Sequence, residues 1–441
     1  GVAAAAAAAA AGYVGGLLWE GRNDVVPAVA DGGRTRGDTA ARRGRQFTWL
    51  VPPLFPLLPA FSRPTYRYEV VKGAVWTLEQ KQGIGLGLNV AVNVRMTLVK
   101  LKSGGLLVYA PIAPTGECVA LVKELGLPVE HIVLPTTLFE HKIFVGPFSR
   151  AFPKAAVWPV GGQWSWPVDL PPQAFGIFPA GFIDGDDGAG IPWADEFKIA
   201  TLRPPPIGVG ESLCFNETVL LHVATKTLLV TDAVVRISDT APEVITERDL
   251  LESADDDNLT LSVLKLVNLY DARDKAAALP VRSKDMSREE LLRLGWRRNA
   301  VTALFFGVQN LLDPSDLWRA LQGRLLVAPV VGTLLYENVP DAVRAWADRV
   351  GGWDFRRVIP CHFDGPINAG PREWNAAFSF LRPRPAFRAP WDPPAPAEYW
   401  PAGDVALLRG LEDVLTNAGI IFTDANRPAR RGSKGDGAGV Q

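Results

Sequence analysis

The sequence predicts a mixed α/β fold, an α+β sandwich carrying a helical insertion, and three observations support it. Short runs rich in β-branched and aromatic residues recur between Tyr66 and Val230. Helical patterns break up these runs, and the stretch from about Glu243 to Val350 reads mainly as helices. A last short strand pattern, Arg357 to Ile359, brings the chain back to a sheet after that insertion. Over 441 residues, 48% hydrophobic and 21% charged composition is enough to bury a substantial core. The formal charge of -1, without a long Lys/Arg stripe, lacks the electrostatic footprint of a nucleic-acid binder. No stretch of about 18 consecutive apolar residues occurs, so no spanning helix is expected. The cysteines Cys118, Cys214 and Cys361 lie far apart without CxxC spacing, and they read as free thiols.

Residues 1–60 read as a disordered targeting and low-complexity region. An alanine run from Ala3 to Ala11 leads to Arg22, Arg34, Arg36, Arg42, Arg43 and Arg45, although Asp24, Asp31 and Asp38 dilute the acid-poor character of a transit peptide. Arg42-Arg43 is not read as a twin-arginine signal, because Pro52, Pro53, Pro56 and Pro59 break the apolar run behind it.

The domain proper spans 61–381. Tyr66 to Val71 and Val75 to Leu78 form a first hairpin. Gly83, Gly85 and Gly87 are a turn rather than a phosphate loop, since Asn93 to Leu101 continues as a strand. Ser103-Gly104-Gly105 turns the chain into Leu106 to Tyr109. Thr115 caps a helix with Val119, Val122 and Leu125 on one face and Gly126 as its stop. His131 to Leu134 is a buried strand, Thr136 to His141 a loop, and Phe144 to Phe152 a helix entered near Pro147. Ala156 to Trp158 is a strand. In the irregular region that follows it, Asp184, Asp186 and Asp187 lack the Glu of a calcium loop. Thr218 to Val223 and Thr227 to Val230 form a hairpin that delivers Asp232. Helices follow at Arg288 to Leu312, Leu317 to Leu326, and Asp341 to Val350 with Gly351 as stop. The strand Arg357 to Ile359 then ends in Pro360-Cys361-His362, and a capping helix spans Arg372 to Leu381. Residues 382–426 are a Pro-rich linker and a helix, Asp404 to Leu415, with Asp404 as N-cap; 427–441 are a disordered tail.

Chemistry gathers at three strand ends: Glu140 and His141, Asp232, and His362. Rigid strand ends with loops beyond them are how a sandwich converges ligands on a metal. The order is that of a metallo-β-lactamase-type domain, whose first motif is Thr-His-x-His-x-Asp-His. In Pro135 to His141, Thr136 and Leu138 stand at the first two histidine positions, Glu140 at the Asp and His141 at the last His, while Asp232 and His362 match the later Asp and His. The words NVRMTLVKL, YAPIAPTGEC, EHKIFVGPFSRAFP, QWSWPVDLP, PWADE, TLLVTDAV and VIPCHFDGPINA, within about Tyr66 to Leu381, resemble the domain of unknown function family 4336 of plants, algae and cyanobacteria. That resemblance implies a degenerate metallo-β-lactamase-type αββα fold, and a chloroplast protein of unassigned activity.

A two-metal site of this fold calls on more histidines than the four present here. His131 opens a strand as a surface or capping residue. His222 pairs near Leu228, roughly 14 Å along the strand from Asp232. The first metal position is therefore vacant, and the second keeps Glu140, His141, Asp232 and His362, an O/N set suited to one zinc, iron or manganese ion. Two readings stay open at the site: a mononuclear metal, or a relic cluster of hydrogen-bonded polar groups. Two stand for function as well. One is a metal-dependent hydrolase acting on an unknown small molecule, with Asp232 or Glu140 taking the proton. The other is a non-catalytic scaffold or assembly factor that meets a protein partner through the Trp- and Pro-rich stretches Gln163 to Pro172 and Trp391 to Pro401.

Overall fold

A computed structural model describes residues 35–36, 44–45, 47, 57–58, 62–84, 90–165, 169–185, 188–206, 214–257, 282–305, 312–382, 400 and 402–417. The alanine run, Arg42-Arg43, Gly85, Gly87, Asp186, Asp187, the proline linker and the tail lie outside the described residues.

Two sheets form the centre. The larger contains β1 (Thr35–Arg36), β2 (Leu57–Leu58), β3 (Tyr66–Val71), β4 (Val75–Ile84), β5 (Val90–Lys100), β6 (Leu106–Tyr109), β7 (Val129–Leu134) and β8 (Ala156–Pro159). Its order is β1-β3-β4-β5-β6-β7-β8, with β2 paired to β4. The pairs from β3 to β6 are antiparallel meander steps, and β6-β7-β8 are parallel, as their helical crossovers require. The smaller sheet runs β12-β11-β10-β9, from β9 (Phe197–Leu202), β10 (Glu217–His222), β11 (Thr227–Leu229) and β12 (Arg357–Ile359).

Period-two alternation sorts the side chains into layers. Leu107, Tyr109 and Val133 of the first sheet pack with Ile199, Leu220, Leu229 and Ile359 of the second, making the core between the sheets. Leu106, Val108 and Ile132 face the other way, onto α1 (Gly116–Lys123) and α2 (Phe139–Ala151) through Cys118, Leu121, Val122 and Phe148. On the opposite side Leu202, Val219, Leu221 and Val358 meet α6 (Pro340–Gly351) and α7 (Pro371–Ala377) through Val343, Trp346, Val350 and Trp374. Helix, sheet, sheet, helix is the predicted αββα sandwich. The insertion supplies α3 (Glu247–Ala254), α4 (Arg288–Phe305) and α5 (Ser315–Leu321). These build a separate core around Leu250, Trp296 and Trp318 against Ala91 and Val235. A final helix, α8, covers Ala402–Asn417.

Thr115 caps α1 as expected, its hydroxyl accepting from the Cys118 amide, and Gly126 takes φ +69° at the stop. Four expectations need correction. β4 continues through Gly83 to Ile84, because β5 pairs with it over ten residues. α2 starts at Phe139 rather than beyond His141, with Pro147 inside it. The helix expected over Leu317 to Leu326 runs Ser315–Leu321 and stops there. Asp404 lies within α8, which begins at Ala402. The reading of 1–60 as a region apart from the core meets contacts at its described residues. Arg45 Nη2 lies 3.0 Å from Glu117 Oε1, and the Phe47 ring is 5.8 Å from that of Phe144.

Candidate metal centre

β11 and β12 are parallel, and Leu229 stands opposite Ile359. Asp232 and His362 each follow three positions later, and the ladder continues between them through Val230 N to Ile359 O (3.1 Å) and Cys361 N to Thr231 O (3.2 Å). Equal spacing past a shared register brings both side chains out at one level. His141 comes to the same place from the first turn of α2, which β7 delivers.

His141 Nε2 lies 3.6 Å from Asp232 Oδ2, and His362 Nε2 lies 3.4 Å from Asp232 Oδ1. One ligand atom from each of the three residues falls within 4.8 Å of the others. The two imidazole rings are 5.4 Å apart. Both separations exceed the length of a good N–H···O bond. Accordingly both ring nitrogens of His141 and Oδ2 of Asp232 are buried with no hydrogen-bond partner among the described residues. Buried polar atoms left unmet are costly, so this is a strained arrangement for a bare hydrogen-bonded cluster and a fitting one for a cation.

Electrostatics agree with a coupled trio. Burial alone would lower the His141 pKa, but Asp232, with Glu140 and Glu217 behind it, raises it above its ordinary value. Burial would raise Asp232, yet His141 and His362 hold it below the ordinary carboxylate range. His362 is lowered, chiefly by burial, against the pull of Asp232.

Glu140 is not one of the three. It precedes His141 in the first turn of α2. It still feels the site: burial raises its carboxyl, the His141 charge lowers it and Asp232 raises it, with a net upward shift. Thr136 accepts from the Leu138 amide at 3.2 Å, so its hydroxyl serves a turn, and Leu138 offers no donor atom. His131 accepts from the Trp158 indole at 3.2 Å, remote in role from the trio. His222 pairs with Thr227, one residue from the expected partner, and its Nδ1 lies 2.9 Å from Thr225 Oγ1. All three cysteines are free, and burial pushes the thiols of Cys118, Cys214 and Cys361 up.

Sequence reasoning missed Glu217. Its Oε1 accepts from the amides of Thr231 (2.7 Å) and Ala233 (3.3 Å), and Oε2 from that of Asp232 (3.4 Å), which ties down the loop bearing Asp232. Burial and then the Asp232 charge push its carboxyl up to about 7. The signal available was a lone acid at the head of the apolar run Thr218 to Leu221.

Fold and cluster together define a metallo-β-lactamase-like domain. The family model described as a domain of unknown function (DUF4336) matches residues 72–316 and 313–380, and the chain belongs to that family. No curated protein matches it. Among solved structures it is similar to a metallo-β-lactamase from Pontibacter korlensis, at 15% identity over 46% of this chain and 85% of that one, TM-score 0.29. A metal-soaked flavodiiron core from Synechocystis sp. shares 9% identity over 82% of this chain and 71% of that one, TM-score 0.40. A flavoprotein from Thermotoga maritima shares 11% identity over 83% and 74%, TM-score 0.38. Among the described residues, no helix is long and apolar enough to cross a membrane.

Proposed function

We propose that this chain is a chloroplast metal-dependent hydrolase in which His141, Asp232 and His362 hold one divalent ion, zinc, iron or manganese. The observation that carries the proposal is the set of orphaned buried atoms, His141 Nδ1 and Nε2 and Asp232 Oδ2, at a point where a third ligand, His362, also converges. Two imidazoles and one carboxylate suit any of those three ions. Such an ion supplies Lewis acidity and activates water near neutral pH. Glu140, in the same helical turn as His141, serves as the proton acceptor. Glu217 holds the Asp232 loop in place through three backbone amides. Plastid residence rests on the Ala- and Arg-rich amino end and is checked by import of the full chain into isolated chloroplasts.

The test is elemental analysis of natively purified protein beside melting with and without chelator. About one ion per chain is expected, and chelation lowers the midpoint. A ligand at a hundred times its Kd contributes about 2.7 kcal/mol. In Asp232→Ala and His362→Ala that chelator-sensitive part disappears. Protein with no metal, whose melting ignores both chelator and added ion, sinks the proposal. The scaffold reading would then gain from exposed apolar surface at Phe178 (70% exposed), Leu170 (44%) and Phe182 (42%), and a stable co-purifying partner would support it.

A further inference from the structure

We infer that Glu79, Asn93 and Arg95, buried side chains on two adjacent strands, are positioning residues that lock His362 in one orientation and one tautomer, with Nε2 presented to the site. The affinity part rests on the metal reading above; the tautomer part does not.

His362 Nδ1 lies 2.7 Å from the backbone carbonyl oxygen of Asn93. A carbonyl can only accept, so the ring nitrogen facing it must carry the proton. That leaves Nε2, the atom nearest Asp232, with a free lone pair. The carbonyl is fixed because it belongs to β5, paired across its length with β4.

The loop carrying His362 is gripped as firmly. Arg95, 2% exposed, donates Nε to Glu79 Oε1 at 2.7 Å, and its other nitrogens reach the carbonyls of Pro360 and Phe363 on either side of His362. Asn93 closes the clamp by holding both backbone polar groups of Phe363. Its Oδ1 accepts from the Phe363 amide at 2.7 Å, and its Nδ2 donates to the Phe363 carbonyl (3.0 Å) and to Glu79 Oε2 (3.1 Å). Phe363 needs such holding, since it sits at φ +55°, a region that non-glycine residues seldom occupy. Gly365 completes the fit: a Cβ there would lie 2.5 Å from Arg95 Nη1. An ion pair this deeply buried is poor value as mere stability, because desolvating both charges cancels much of their attraction. Its contacts converge on one four-residue stretch, Pro360 to Phe363 around His362, which makes precise placement its consequence.

Long-range nitrogen–proton NMR of the histidine rings, on chelated protein, reads the tautomer directly, and zinc titration with a competing chelator reads affinity. In the wild type, His362 should show a protonated Nδ1 and bare Nε2. Arg95→Met should give a mixture of tautomers and zinc binding about 10- to 100-fold weaker. Arg95→Lys, which keeps the charge without the fork, should recover only part of it. If Arg95→Met does not fold, Glu79→Gln carries the same test, since it keeps the acceptor and removes the charge that orients Arg95. A protonated Nε2 in the wild type, or a folded variant with unchanged tautomer and affinity, overturns the inference. A wild type with the expected tautomer that takes up no zinc defeats the metal reading and upholds the positioning role.

Discussion

His222 is 3% exposed, its ring 5.1 Å from that of Phe197, and burial, assisted by Lys102, holds its pKa down to about 4. In the unfolded chain the same ring titrates at about 6.5. Between those values the unfolded state takes up a proton that the native state refuses, so stability is complete above about pH 7 and is lost as pH falls toward 4. The loss is on the order of 2–3 kcal/mol after partial screening. His222→Gln is expected to flatten urea stability over that window, and an unchanged slope would refute the assignment. At this scale Asp232 and His362 are legible because each follows a strand end, whereas Glu140, one residue before His141 in α2, is not among the three that converge. Arg95 and Asn93 escaped notice because the alternation Asn93, Arg95, Thr97 is what a solvent-facing strand also shows, and only the second layer turns that polar face inward.

α3 and α4 touch where Gly295 faces Leu250: a Cβ at 295 would stand 1.9 Å from the Leu250 carbonyl oxygen. Alanine gains up to about 1 kcal/mol over glycine in a helix interior. Here backbone against backbone cannot yield, so Gly295→Ala is expected to destabilise by about 1–3 kcal/mol despite that gain, measured by thermal or urea unfolding. A neutral or stabilising result would show the two helices separate freely. Strands proved readable where turn residues bracket them, as at Leu106–Tyr109 and Arg357–Ile359. The start of α2 was hidden because Leu138 offers no side-chain cap and Pro147 looks like an entrance rather than an interior residue. Tertiary packing of Ile143, Phe144, Val145 and Phe148 carries the helix across the proline.

For the molecule as a whole, the layer order followed from alternating strands flanked by amphipathic helices, and the insertion from a stretch that reads mainly as helices. How the amino end meets the domain did not follow, because Arg45 and Glu117 are 72 residues apart with no shared pattern. Deleting residues 1–60 should leave a cooperatively folding domain whose midpoint is lower, since Glu117, 1% exposed, keeps the Thr65 amide but loses Arg45. A loss of roughly 3 kcal/mol is expected from breaking such a buried pair; aggregation without a melting transition would show that the boundary is misplaced. The three converging side chains come from positions 141, 232 and 362, the outer two about half the chain apart. Joining them closes two long loops, and the entropy of that closure is met only by the whole topology, with β12 seated beside β11 after the insertion has folded. A nascent chain, a proteolytic fragment or a partly folded intermediate presents the same three residues as strangers in solution. Any ion held at this point would therefore meet its three ligands only in the finished molecule.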